Sequence, residues 1–216
     1  FSKALTLGSR QEADLRRAID YVLHEDLFRS QGIAALSDAL SLIDSTSAIR
    51  VEDKLRPLLK RNAIRDGSSI KSEINILRLS DFDLDTQAVL VEVLLSYLWR
   101  KAQSGSFIDS PIWFFCDECQ NLNWGKTGIL PKILSEGRKL GLNLILITQE
   151  AESPQYRAFT QASTQLYFRP GLSDINRISK RISSSRWGDT ALNLRTLKVG
   201  ECLAIGALSA GDIIIQ

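Results

Sequence analysis

The chain has no methionine, one histidine and only three cysteines in 216 residues. So small and odd a cysteine count excludes a disulfide framework and suits a reducing cytoplasm, as does the lack of a signal-peptide hydrophobic stretch. Long apolar runs are missing too. The longest, near residues 142–148, falls far short of the roughly 20 residues that cross a bilayer, so a soluble cytoplasmic protein without membrane contact is expected. Charge of one sign is also scarce: 27 Lys and Arg stand against 25 Asp and Glu, a net +2 that gives only a mild bias toward polyanions. Without a methionine even at position 1, the chain is expected to be a piece of something longer.

What is there is an ordinary globular balance, 44% hydrophobic and 24% charged, which excludes disorder and leaves room for one or two domains. The pattern divides the chain near residue 72. Before it, residues 10–28, 33–43 and 51–64 carry apolar positions at helical spacing, with Pro57 either inside the third helix or restarting it. Ser37 and Asp38 fall on the wet side of the second helix. Residues 65–71 read as a turn or linker.

After residue 72 short apolar segments alternate with amphipathic ones. Residues 74–79 read as a strand and 86–101 as a long helix with Val89, Val93, Leu94 and Tyr97 on one face. Ile112–Cys116 reads as a strand buried on both faces, 129–140 as a helix stopped by Gly141, and 142–148 as the next strand. Helices are expected at 156–162 and 173–181, and strands at 165–169, 201–205 and 212–215. Such alternation predicts an α/β fold with a mostly parallel sheet, preceded by an all-helical segment, with functional groups at the carboxyl ends of the strands.

The strongest chemical feature is the apolar strand that delivers Asp117 and Glu118 at its carboxyl end, the pattern of a Walker B element. A rigid strand can hold the first carboxylate against the water shell of Mg²⁺, while the second, on the other side, polarises a water for in-line attack on a γ-phosphate. The bland alternative is the start of a solvated loop. The following strand ends in Thr148 and Gln149, a polar pair expected at the same sheet edge. Gln149 would orient water or sense the γ-phosphate, or else cap the next turn. Between the two strands lies Gly137-Arg138-Lys139-Leu140-Gly141 at the end of a helix, where basic residues are comfortable in any case.

Strand with Asp-Glu, helix ending in Gly-Arg-Lys-x-Gly, strand ending in Thr-Gln: this order resembles the HerA/FtsK superfamily of motor ATPases, over roughly residues 74–215. The resemblance implies the C-terminal half of a RecA-like P-loop NTPase core over 73–216, with 1–72 a helical insertion, in an ATP-driven DNA translocase or helicase. By the same resemblance Asp117 is the Mg²⁺-associated acid, Glu118 the catalytic base, Gln149 the sensor and Arg138 an arginine finger reaching a neighbouring subunit's nucleotide. Asp117 and Thr148 would line the ATP site, and a finger acting in trans implies a homo-oligomeric ring, hexameric in the full-length protein. Leu197, Gly200 and Glu201 resemble the family's late L-x-x-G-E strand entry. The settings implied are DNA restriction, defence or transfer alongside other subunits of a DNA-processing system; within the family, the chain also resembles the HerA-like helicase component of phosphorothioation-dependent DNA restriction.

One departure is large. The phosphate-binding loop G-x-x-x-x-G-K-[ST] occurs nowhere, and Gly125-Lys126-Thr127 is no substitute, since Gln120 stands where its first glycine belongs. The fragment alone is therefore expected to be inactive, and a strand edge beside 142–148 is expected to stay open and invite pairing.

Weaker signals remain. For DNA, Asn123, Trp124 and Lys126 after the acids, and Arg177, Lys180, Arg181 and Arg186 near Trp187, offer charge and stacking, or else merely solvated faces. Lys54, Arg56, Lys60, Arg61 and Arg65 read first as packing or subunit contacts. Cys116 and Cys119 have redox or half-zinc spacing, but zinc lacks nearby ligands beyond distant Cys202 and His24, and the enclosed acids would raise the thiol pKa values. The rival to a motor ATPase is a RecA-like interaction module that binds DNA or protein partners and hydrolyses nothing.

Overall fold

In the computed structural model, residues 5, 7–64, 73–125, 128–150, 162–182, 187–206 and 213–215 are described. The chain forms two compact units, one of Phe1–Ser104 with Asn121–Leu130 and one of Gly105–Gln120 with Pro131–Gln216.

The first unit is helical. Helix α1 (Ser9–His24) buries Leu15, Ala18 and Val22. A short α2 (Leu27–Gln31) and a 3-10 turn (Gly32–Ala34) lead into α3 (Ala35–Ser41), which buries Leu36, Ala39 and Leu40. Helix α4 (Thr46–Lys60) buries Ala48, Val51, Leu55 and Leu58. Spacings of three and four put each set on one stripe, and the three stripes meet in a common core with Ile33. Pro57 lies inside α4 without ending it. Asp14, a buried acid of α1, binds this bundle through polar contacts: Ser45 Oγ donates to its Oδ2 at 2.7 Å, and Ser47 Oγ donates to the same oxygen. Ser45 Oγ in turn accepts the Ala48 N–H at 3.0 Å and caps α4. These hydroxyls hold the Asp14 carboxyl below its ordinary pKa.

Helix α5 (Leu84–Gln103) starts at Asp83, whose carboxylate accepts Thr86 N–H at 2.9 Å and Thr86 Oγ–H at 2.8 Å. Its buried residues are Thr86, Val89, Val91, Glu92, Leu95, Leu98, Trp99 and Ala102, so the core stripe is rotated from the one expected, and Tyr97 is exposed. Residues 74–79 form no strand. They pair with no strand among the described residues, and Ile74 and Ile76 are 80% and 89% exposed, so their alternation is not a half-buried face.

The second unit carries the sheets. Strands β1 (Ile112–Cys116) and β2 (Leu142–Leu146) pair in parallel, Ile112 opposite Leu142 through Cys116 opposite Leu146. Helix α6 (Leu130–Glu136) and a 3-10 turn (Gly137–Leu140) precede β2. Strand β3 (Thr164–Phe168) is followed by α7 (Leu172–Ile182), α8 (Trp187–Thr196), β4 (Cys202–Gly206) and β5 (Ile213–Ile215). These three strands are antiparallel in the order β3-β4-β5, so the expectation of a mostly parallel sheet holds for β1–β2 alone among the described residues. Helices α7 and α8 close over Leu203 with Ile175, Ile178, Leu194 and Leu197. The helix expected at 156–162 lies almost wholly outside the described residues.

Strand β1 also departs from its reading as a strand buried on both faces. Trp113 and Phe115, alternate residues on one face, are 61% and 65% exposed, while Cys116 on the other face is buried. No helix among the described residues is long and apolar enough to cross a membrane.

Candidate active site

Parallel pairing brings the carboxyl ends of β1 and β2 to the same edge. The ladder then continues past the strands: Ile147 N–H donates to Cys116 O at 2.9 Å, and Cys119 N–H to Ile147 O at 3.0 Å. These two bonds hold the turn after β1 beside the turn after β2, so that residues 117–120 and 148–149 face one another.

Asp117 is exposed, and its Oδ1 accepts the Glu118 N–H at 2.9 Å. Glu118 has φ +51°, a left-handed conformation that costs a residue with a Cβ about 1 kcal/mol. In that conformation its carboxylate meets two amides. Gln149 Nε2 donates to Oε1 at 2.6 Å, and Gln120 Nε2 donates to Oε2. Gln120 is itself held, because Thr148 Oγ donates to its Oε1 at 2.8 Å, and Thr148 Oγ accepts the Glu150 N–H at 3.1 Å.

The sequence reading grouped Asp117, Glu118, Thr148 and Gln149, and all four stand at this edge. It missed Gln120, which it noted only as the residue that spoils a phosphate-loop match. The available signal was position: a polar side chain two residues beyond Glu118, in a turn already pinned to β2.

Arg138 is not brought to this group. It is exposed in the 3-10 turn before β2, at the opposite end of the parallel pair from Glu118. Five residues of strand separate the two ends, roughly 16 Å. That turn depends on glycine. Gly141 has φ +74°, and a Cβ there would lie 1.9 Å from Phe107 O; a Cβ on Gly137 would lie 2.6 Å from Leu142 O.

Magnesium would find one exposed carboxylate here, Asp117. Among the described residues no three His, Cys, Asp or Glu side chains converge on a metal position. A single acid fits an ion that keeps several waters and takes its other ligands from substrate phosphates.

Cys116, Cys119 and Cys202 are buried thiols. Burial, with the neighbouring Asp117 charge, pushes Cys116 up to about 11; burial, then Cys116 and the adjacent acids, pushes Cys119 up to about 12. Such thiols are poor nucleophiles, which argues against the redox reading.

The DNA candidates fall in both units of the chain. Trp124 is half-buried, and Asn123 Oδ1 accepts Gly125 N–H at 3.0 Å. Lys126 and Arg186 lie outside the described residues, as does the side chain of Trp187. Arg177, Lys180 and Arg181 are exposed on α7, where Arg177 pairs with Asp174 at 3.1 Å. Of the earlier basic run, Lys54 Nζ donates to Leu5 O at 3.1 Å, Arg56 pairs with Asp53, and Arg61 lies 5.1 Å over the Phe82 ring, while Arg65 lies outside the described residues. His24 is exposed beside Glu25.

No protein-family model and no curated protein matches the chain. Among solved structures it is similar to the genome packaging NTPase B204 from Sulfolobus turreted icosahedral virus 2 in complex with AMPPCP, with 24% identity and a TM-score of 0.45. That likeness covers 58% of this chain and 61% of that one, so the chain spans less than two thirds of the viral protein.

Proposed function

We propose that this chain is part of an ATP-driven DNA translocase or helicase, with residues 73–216 in the RecA-like core and 1–72 a helical insertion. The observation that carries the reading is the Glu118 carboxylate, held by two amide donors at the carboxyl end of a parallel strand. Acids at the ends of apolar strands are common; an acid in a strained conformation with both oxygens oriented is the kind of feature that clusters at functional sites.

In hydrolysis Glu118 would accept a proton from water. As the water oxygen bonds the γ-phosphorus, the bond from phosphorus to the bridging oxygen breaks, and ADP and phosphate leave. Gln149 would fix the base and the water path. Asp117 would hold Mg²⁺ through a water, and that ion supplies charge neutralisation on the phosphates.

Arg138, at the other end of the strands, supports a role in trans. A guanidinium about one strand length from Glu118 does not reach a nucleotide held there, but it can serve the site of the next subunit in a ring. DNA would meet the exposed basic face of α7 at Arg177, Lys180 and Arg181; Trp124 is a separate candidate in the other unit.

The absence of a G-x-x-x-x-G-K-[ST] motif favours a second reading, a RecA-like module that binds partners without hydrolysis. DNA-stimulated ATP hydrolysis by the full natural chain separates the two. Turnover that rises with DNA supports the motor; no turnover with DNA and Mg²⁺ present leaves the binding module.

A further inference from the structure

We infer that Gln120 is a positioning residue for the Glu118 base, set in place by a one-way hydrogen-bond relay from the turn after β2. The inference rests on the reading of Glu118 as the base, and it adds a residue and a mechanism to it.

The direction of the relay follows from donor chemistry. A backbone N–H can only donate, so the Glu150 N–H, 3.1 Å from Thr148 Oγ, takes a lone pair of that hydroxyl. The hydroxyl proton is then available to Gln120 Oε1, 2.8 Å away. The Gln120 amide cannot flip without setting its oxygen against the Glu118 carboxylate, which only accepts, so its Oε1 is left to the Thr148 hydroxyl, which donates to it. Its Nε2 therefore faces Glu118 Oε2.

Gln149 Nε2 takes the other carboxylate oxygen at 2.6 Å. Two donors, one on each oxygen, stop rotation of the carboxylate about its terminal bond. Each oxygen keeps a further lone pair, and one of these can receive the water proton. Hydrogen bonds to an ionised acceptor are the strong ones, so this clamp holds a side chain whose backbone is strained. The arrangement also ties the base to the turn after β2: a shift of Thr148 would release the Gln120 amide and loosen Glu118.

The test uses the full natural chain, with steady-state ATP hydrolysis in the presence of DNA and with thermal unfolding as a control. Gln120→Met keeps length without hydrogen bonding, and Thr148→Val keeps shape without the hydroxyl. Each is expected to lower kcat about tenfold, the effect of removing or releasing the charge-assisted Gln120–Glu118 bond, while KM for ATP stays within about twofold. Because they break one relay, the double variant should be no slower than the worse single one, and Thr148→Ser should recover most of the rate lost in Thr148→Val.

Rates for both single variants within twofold of the parent, beside an inactive Glu118→Gln, would overturn the relay and leave the base assignment standing. Losses that multiply in the double variant would overturn it as well. A Glu118→Gln protein that still hydrolyses ATP would remove the base assignment, and the purpose of the relay with it. Thr148→Val carries the test alone if Gln120→Met does not fold.

Discussion

Gln149 Nε2 lies 2.6 Å from Glu118 Oε1, joining the turns that follow two parallel strands. The contact is a donor against an acceptor, so the sign of the substituted group should matter more than its size. Gln149→Glu sets a second negative charge against Glu118, whereas Gln149→Leu removes only the donor. In the full natural chain, ATP hydrolysis should fall further in Gln149→Glu than in Gln149→Leu. Equal rates in the two variants would separate Gln149 from the base.

Arg138 and Glu118 occupy opposite ends of the β1–β2 pair, which gives a subunit-mixing prediction. Arg138→Ala and Glu118→Gln should each abolish hydrolysis in homo-oligomers. Mixed oligomers should recover part of the activity, because some interfaces then combine an intact base with an intact arginine. No recovery on mixing would remove the role of Arg138 in trans.

Gly141 should tolerate no side chain. Its φ of +74° is unfavourable for other residues, and a Cβ would sit 1.9 Å from Phe107 O. Gly141→Ala should destabilise the second unit by about 3 kcal/mol, combining backbone strain with displacement of a packed carbonyl. Chemical denaturation measures this, and a change under about 0.5 kcal/mol would contradict the local geometry.

Much of this was legible because it is local. The continuous apolar segment before Asp117 and Glu118, the helical stripes of Leu15, Ala18 and Val22, and the stop at Gly141 are written in neighbouring residues. What depends on partners was not. Residues 74–79 alternate as a strand does, yet alternation alone makes no ladder, and neither sheet among the described residues includes them. The direction of β4 against β3 and β5 leaves no mark in segments of five and three residues. Trp113 and Phe115 look like core by composition, but covering them takes a neighbour that composition does not reveal. Gln120 went unnoticed because its importance lies in a contact 28 positions away, with Thr148.

Asp14 gives a pH prediction for the helical unit. Ser47 and Ser45 hold its carboxyl below the ordinary value, so its folded pKa lies below its unfolded one. Its contribution is therefore present above about pH 4 and is lost as pH falls further, through the folded value. Parent and Asp14→Asn proteins should differ clearly in Tm at pH 7, and the gap should narrow as pH falls below about 4. A gap that does not narrow on acidification would contradict the bond assignment.

As proposed, Glu118 acts as the base of an ATP-hydrolysing motor. The direct measurement is nucleotide binding and DNA-stimulated hydrolysis by the full natural chain and its Glu118→Gln variant, side by side. A loss of at least about a hundredfold in kcat is expected, as for removal of a general base, with ATP binding retained. Hydrolysis by Glu118→Gln at the parent rate would contradict it.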